Sequence, residues 1–290
     1  MSVEQAVRAG APVAAVRRSR RGRVRPGVLA AAVLLGLILL AALAPSLLAH
    51  GSPTDTDPVH ALQAPGGAHW FGTDQLGRDV FARVVHGTRY SLAIGAAATG
   101  AGVGLAMVWG LAAALSGRFG DAVLMRAADA LLALPGLLLA LMVVLIAGKG
   151  VLGTTVAVAV GTAPGFARVV RAQALVVRRS GYVESAVALA VPRPLIVLRH
   201  VLPNTLGPLL VLATVTLGAS ISTGAALSYL GLGAQPPTPE WGAMLTEGQG
   251  FLDQAWWIAL FPGLLLVSTV LAVTVVGRHA QARAEGRAAS

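Results

Sequence analysis

The chain has 290 residues, 56% hydrophobic and only 12% charged, about half the charged share of a soluble domain, so most of it must face lipid or other apolar helices. The formal net charge of +10 is carried by arginine, with Lys149 the only lysine, and the arginines sit in short segments between apolar runs, which reads as membrane topology rather than nucleic-acid binding. The absence of cysteine excludes disulfides, thiolate metal sites and cysteine nucleophiles.

Arg17, Arg18, Arg20, Arg21, Arg23 and Arg25 stand before the first apolar run, Val28–Leu48. A basic stretch followed by an apolar one is shared by signal peptides and first membrane spans. This run, of roughly 20 residues, is long enough to cross a bilayer and too long for a typical signal core. The small residues near Ala49 make a poor cleavage site, so an uncleaved first span is predicted. Five more runs follow: Tyr90–Leu115, Val123–Ala147, Val151–Val170, Leu206–Leu230 and Ala255–Val276. Lipid solvates no backbone polar group, so spans are helices or closed barrels, and unbroken runs without alternation select helices. The expected fold is an all-α polytopic membrane protein of about six transmembrane helices. It forms one domain over residues 28–278, between an Arg-rich tail, 1–27, and a short tail, 279–290.

Arginine also sets the orientation. With the N-terminus inside, the inner segments hold Arg8 to Arg25, Arg118 and Arg126, the group from Arg168 to Arg199, and Arg278, Arg283 and Arg287. The outer segments hold Arg78, Arg83, Arg89 and Lys149, so both termini are expected in the cytoplasm of a bacterial inner membrane. Asp55, Asp57, Asp74, Asp79, Glu240, Glu247 and Asp253 then fall outside.

The outer loop His50–Arg89 begins with several glycines and prolines and is expected to be irregular in its first part. Gly72, Asp74, Gly77, Arg78 and Asp79 lie in it. His69 with two carboxylates suggests a metal site, but the spacing matches no recurring ligand pattern and Arg78 competes for the carboxylates, so none is expected. An ion-pair network closing the loop onto the spans is favoured, with contact to a binding protein as the alternative. In the third run, Asp129 is expected to pair with Arg126, three residues before it. The fifth run is rich in hydroxyls. Thr216, Ser220, Ser222 and Thr223, with Thr214, either line a translocation path or bond across helices. Gly231-Leu232-Gly233 and Pro236-Pro237 end that run with a turn. Trp241, Trp256 and Trp257 fit an aromatic belt at the outer interface.

The inner segment, residues 171–204, contains Gly181-Tyr182-Val183-Glu184-Ser185-Ala186 and continues through Leu189 and Ala190 to Pro192 and Pro194. A short helix from about Tyr182 to Val191 is predicted, then a bend at the prolines, then a second short helix from about Leu195 to Leu202 ending at Pro203. Such a helix either docks in a groove of a partner or rests on lipid headgroups, and spacing alone does not choose.

This segment resembles the "E-A-A, three residues, G" loop of bacterial ABC importer permeases, which closes on an apolar-Leu-Pro sequence. Glu184, Ser185 and Ala186 match the E-A-A positions, with Ser for the first Ala. Ala190 stands where that family has Gly, and Leu202 and Pro203 match the closing pair. The resemblance implies that the loop is a cytoplasmic coupling helix seated in a cleft of an ATPase. Glu184, Ser185, Ala186, Leu189, Ala190, Leu202 and Pro203 would then be its coupling residues. The run His69-Trp70-Phe71-Gly72-Thr73-Asp74-Gln75-Leu76-Gly77-Arg78-Asp79-Val80 is similar to a signature of dipeptide, oligopeptide and nickel permeases. So are the run Gly231–Gly242 and the pair Trp256-Trp257 with Phe261-Pro262-Gly263. The first and third of these resemble the second, C-type permease of the pair, and the resemblance runs from about Trp70 to Gly277. Where that family commonly has an acid soon after the last span, this chain has Arg278-His279.

The resemblance implies a type I ABC importer permease that forms half of a channel for peptides or a related small solute such as nickel complexes. The implied partners are a homologous permease, two ATPases, an extracytoplasmic binding protein and membrane lipid. ATP and Mg would sit on the ATPases, and this chain would bind no cofactor. Consistent with that, Gly148-Lys149-Gly150 lacks the loop and hydroxyl of a phosphate-binding motif, and no catalytic set falls on one surface. The rivals are a secondary transporter, which would need ion-coupling carboxylates at mid-membrane, and an intramembrane enzyme, which would need a Ser, His or Asp cluster within the spans.

Overall fold

The computed structural model describes residues 26–284. The predicted tail 1–27, except its last two residues, and residues 285–290 lie outside the described residues, and with them Arg8 to Arg25 and Arg287. Among the described residues the chain is helical, with a single isolated bridge between Thr73 and Asp79. Five helices are long and apolar enough to cross a membrane, or six if one bent pair counts as a span.

Helix α1, Pro26–Leu43, is shorter than the predicted first span because Pro45 opens a separate turn of 3₁₀ helix. It packs at the periphery against the second and last long helices. Helix α2, Val80–Leu115, begins ten residues before its predicted start, on an N-cap in which Asp79 accepts from the Ala82 N–H at 2.8 Å. Charge made the stretch from Val80 to Arg89 look like loop, yet Val80, Val84, Val85 and Arg83 are all buried.

The predicted third span, Val123–Ala147, is not one straight helix. It is α3, Arg118–Leu132, and α4, Gly136–Ala147, bent by 100°. Pro135 accounts for the break, since it disfavours helix in the residue before it and donates no N–H. Helix α5, Val151–Arg178, runs eight residues past its predicted end. It pairs with α2 over the most extensive helix–helix contact among the described residues. Gly110 permits that approach: a Cβ there would lie 2.6 Å from both the Ala167 carbonyl oxygen and Val170 Cβ.

Helix α6, Gly181–Ala188, and helix α7, Arg193–Tyr229, follow. Pro203 does not end a helix, as was predicted. One π turn at Val197–Val201 absorbs it, and α7 continues through Pro203 and Pro208 to Tyr229. Helix α8, Trp241–Gln249, a single turn α9, Leu252–Ala255, and the long α10, Trp257–Ala284, complete the chain. The lipid-facing sides carry Leu138, Leu145, Ile146, Leu264 and Leu271, as a bilayer solvent requires. The largest buried cluster joins Met107, Leu111 and Ala114 of α2 to Phe166, Val170 and Ala174 of α5, Val183 and Ala186 of α6, and Ile196, Val201 and Leu209 of α7. That cluster fixes one end of the bundle, the end rich in arginine.

Candidate functional site

At the arginine-rich end, α6 lies across the bundle with two unlike faces. Val183 and Ala186 are buried in the cluster just described, while Glu184, Ser185, Val187 and Leu189 are exposed. Leu189 is 79% exposed and Val187 60%, although both are aliphatic and sit at the end of the bundle rather than along its flank. Glu184 makes no ion pair or side-chain hydrogen bond among the described residues. The Ser185 hydroxyl donates to the Gly181 carbonyl at 2.8 Å. Of the residues matched to the coupling motif, Ala186 therefore points inward and serves packing, which removes it from any outward contact surface.

The turn after α6 explains why a glycine suits position 190. The Val191 N–H donates to the Ala186 carbonyl at 3.1 Å, and the Ala190 N–H donates to the Val187 carbonyl at 2.9 Å. That pair of bonds is a Schellman cap, whose penultimate residue adopts the left-handed conformation. Ala190 has φ +54°, so the turn keeps its shape without glycine at some backbone strain. Leu202 is half-buried and Pro203 exposed within α7, behind α6. Tyr182 and His200 face each other with ring centroids 5.9 Å apart, tying α6 to the start of α7.

Electrostatics anchor this end further. Asp121 of α3 receives both the Nε and an Nη of Arg171, and Arg168 reaches Asp129. Asp129 thus pairs across to α5, against which α3 packs, rather than with Arg126 on its own helix.

The opposite end carries a buried charged cluster. Asp74, fully buried, accepts from Arg78 Nε at 2.6 Å and from an Arg83 Nη. Glu247 of α8 accepts from Arg78 Nη2 at 2.8 Å and from Arg83 Nη1 at 2.7 Å. Two acids balance two arginines, which is the condition under which such charges can leave water. Gly77, at φ +72°, lets the loop turn against the Asp57 backbone, and Gly72, at φ +73°, packs under the Trp257 ring. Asp79 accepts from His69 Nδ1 at 2.8 Å in addition to capping α2. The hydrogen bond with His60 holds the exposed Asp57 carboxyl below the usual carboxylate range, so this turn is made at neutral pH and loosens only in acid.

Glu240, Trp241 and Trp257, expected as an outer-loop acid and belt aromatics, are buried in the interior. Glu240, 1% exposed, caps α8 by accepting from the Gly242 and Ala243 N–H groups, each at 3.0 Å, and from the Ser91 hydroxyl at 2.9 Å. Trp241 donates from Nε1 to the Val84 carbonyl at 3.0 Å, and Trp257 to the Thr73 carbonyl at 3.0 Å. Both are buried, and of the three tryptophans expected in the belt Trp256, 50% exposed, suits it. The signal for Arg83 and Glu247 was present as a balance of opposite charges in segments flanking the spans, but nothing in linear spacing joins positions 164 residues apart.

Thr216, Ser220 and Thr223 share one face of α7 at i, i+4 and i+7, and Ser222 lies off it. Ser222 is exposed, Thr216 and Thr223 are half-buried, and Ser220 is buried with an unbonded hydroxyl oxygen. Thr216 donates back to the Leu212 carbonyl of its own helix at 3.0 Å. Among the described residues no group of His, Cys, Asp and Glu is placed to hold a metal ion.

The family described as the inner membrane component of binding-protein-dependent transport systems matches residues 102–286. The dipeptide transport system permease protein DppC of Alkalihalophilus pseudofirmus is 39% identical over 245 residues, covering 84% of this chain and 80% of that protein. The glutathione transport system permease protein GsiD of Pectobacterium atrosepticum is 41% identical over 255 residues, covering 88% and 85%. That of Shigella flexneri is 41% identical over 261 residues, covering 90% and 86%. Among solved structures, a chain of the inward-facing MetNI methionine ABC transporter superposes with a TM-score of 0.56 at 22% identity, over 70% of this chain and 95% of that one. This last likeness is one of fold.

Proposed function

The chain belongs to the family of inner-membrane components of binding-protein-dependent transport systems, the permease subunits of ABC importers, and from that premise we propose that it forms half of a channel driven by ATPases docked on α6. The single observation that carries the docking surface is the split face of α6. Its inner side is locked into the largest core cluster, while its outer side offers Glu184, Val187 and Leu189 with no partner of their own. A rigidly backed helix with an exposed, partly apolar face can pass force to the spans behind it.

In this reading a homologous permease supplies the other half of the channel, two ATPases bind on the cytoplasmic side, and an extracytoplasmic binding protein delivers solute at the Asp74–Asp79 end. ATP and Mg reside on the ATPases, and this chain holds no cofactor and hydrolyses no nucleotide. The arginines Arg118, Arg126 and Arg168 to Arg199 support a cytoplasmic α6 and cytoplasmic termini. The relatives named for dipeptide and glutathione transport support a small peptide or peptide-like solute as cargo.

Glu184→Lys tests the docking surface. A charge reversal at an interface costs several kcal/mol, whereas a carboxylate that only favours a helix N-terminus contributes about 0.3–1 kcal/mol. The variant is expected to insert and fold normally, yet to lose both solute uptake and co-purification of the ATPases. Normal uptake by Glu184→Lys removes Glu184 from the interface.

A further inference from the structure

The turn that Pro203 forces into α7 lies where α6 meets a membrane-spanning helix. A proline at this position has no N–H to offer the carbonyl four residues back, and its ring crowds that carbonyl. The chain responds with a π turn, in which the Leu202 N–H donates to the Val197 carbonyl five residues back. Asn204 Nδ2 then reaches back to the His200 carbonyl at 2.6 Å. Pro208 removes a second backbone donor one and a half turns later. Helix bending concentrates at prolines and at single π turns, and such turns recur at functional positions.

What surrounds the turn differs on its two sides. Upstream, Ile196 is buried with Val183 and Ala186 of α6, and within the turn Val201 joins that cluster and the His200 ring lies tilted against Tyr182, so α6 and the start of α7 form one packed unit. Downstream, the far half of α7 is knit to other helices. Gly224 packs under Ile94 of α2, and Gly218 lies against Val270 and Thr274 of α10. Val201 and Leu209 keep the turn and its two prolines within the buried cluster, and the turn lies between α6 and this far half along the chain.

We propose that the π turn at Val197–Val201 is the joint that passes displacement of α6 to the far half of α7, and that Pro203 is its positioning residue. This rests on α6 being the ATPase docking surface. Leu198 is 61% exposed and sits inside the turn, so its deletion removes the one extra residue and leaves the faces on either side in register. Pro203→Ala is the milder variant, restoring the missing N–H.

The test is hydrogen–deuterium exchange on the full two-permease, two-ATPase complex, with and without a non-hydrolysable ATP analogue. In the unaltered complex, amides 197–204 are expected to exchange about tenfold faster than the rest of α7, and amides 214–229 to change protection when the analogue binds. In the Leu198 deletion, or in Pro203→Ala should the deletion fold poorly, amides 197–204 slow to the level of their neighbours. The response of 214–229 is then lost in variant complexes that retain both ATPases. Slow exchange at 197–204 in the unaltered complex, or an unchanged response of 214–229 in the variants, overturns the joint. Failure of the ATPases to co-purify with the unaltered chain overturns the docking reading itself.

Discussion

Ala190 holds a left-handed backbone with a Cβ, a conformation that costs roughly 1–2 kcal/mol in an L-residue and nothing comparable in glycine. Ala190→Gly is therefore expected to raise the thermal midpoint of the purified protein by about 2 °C or more, with uptake unchanged. A fall in the midpoint would show that the cap is not strained. The buried quartet makes the opposite kind of prediction. Glu247→Ala leaves two arginines facing one acid, and breaking a buried pair costs about 3–5 kcal/mol. Folded yield is expected to collapse in Glu247→Ala and to recover largely in the double variant Arg83→Met with Glu247→Met, which leaves Asp74 and Arg78 matched. A double variant as poor as the single one would mean that the charges are not coupled. These residues were only half legible. Asp74 and Arg78 sit four apart and suggest a pair on sight, but Arg83 read as a topology marker and Glu247 as a loop acid, since their partners are distant in sequence.

At the scale of helices, apolar runs located the spans because lipid demands them, and boundaries failed where something other than hydropathy decides. Asp79 starts α2 early by capping it, and the Val123–Ala147 run conceals a 100° bend that composition cannot express. Pro203 misled for a physical reason: a proline ends a helix unless the turn before it widens, and tertiary packing of Ile196 and Val201 holds this one open. Close packing of α2 on α5 gives a sharp contrast between two glycines. Gly110→Leu is expected to abolish folding, because its side chain would enter α5. Gly100→Leu, with nothing within 4 Å of its Cβ, is expected to be tolerated. Detergent-solubilised yield and gel-filtration profile separate the two, and equal behaviour would refute the packing argument.

Across the whole molecule, the arginine distribution predicts one orientation. Single cysteines at Ser116 and Ser180 are expected to react only with reagents that enter the cytoplasm, and one at Ser52 with reagents added outside. Labelling of Ser180 from outside would invert the topology and, with it, the placement of the ATPases. The two motifs that made the family legible each carry a structural constraint: the Schellman turn at Ala190, and the loop in which Gly77 and Asp74 bring Arg78 to Glu247.

The same quartet has a consequence in time. Arg83 leaves the ribosome 164 residues before Glu247. At about 5–20 residues per second, that is a wait on the order of ten to thirty seconds. Throughout it, the nascent chain holds a surplus positive charge beside its second span. That surplus favours keeping the segment in water or in the insertion machinery, and α2 can settle fully only when α8 arrives. A chain cut short before α8 thus leaves Arg78 and Arg83 to share the Asp74 carboxylate alone.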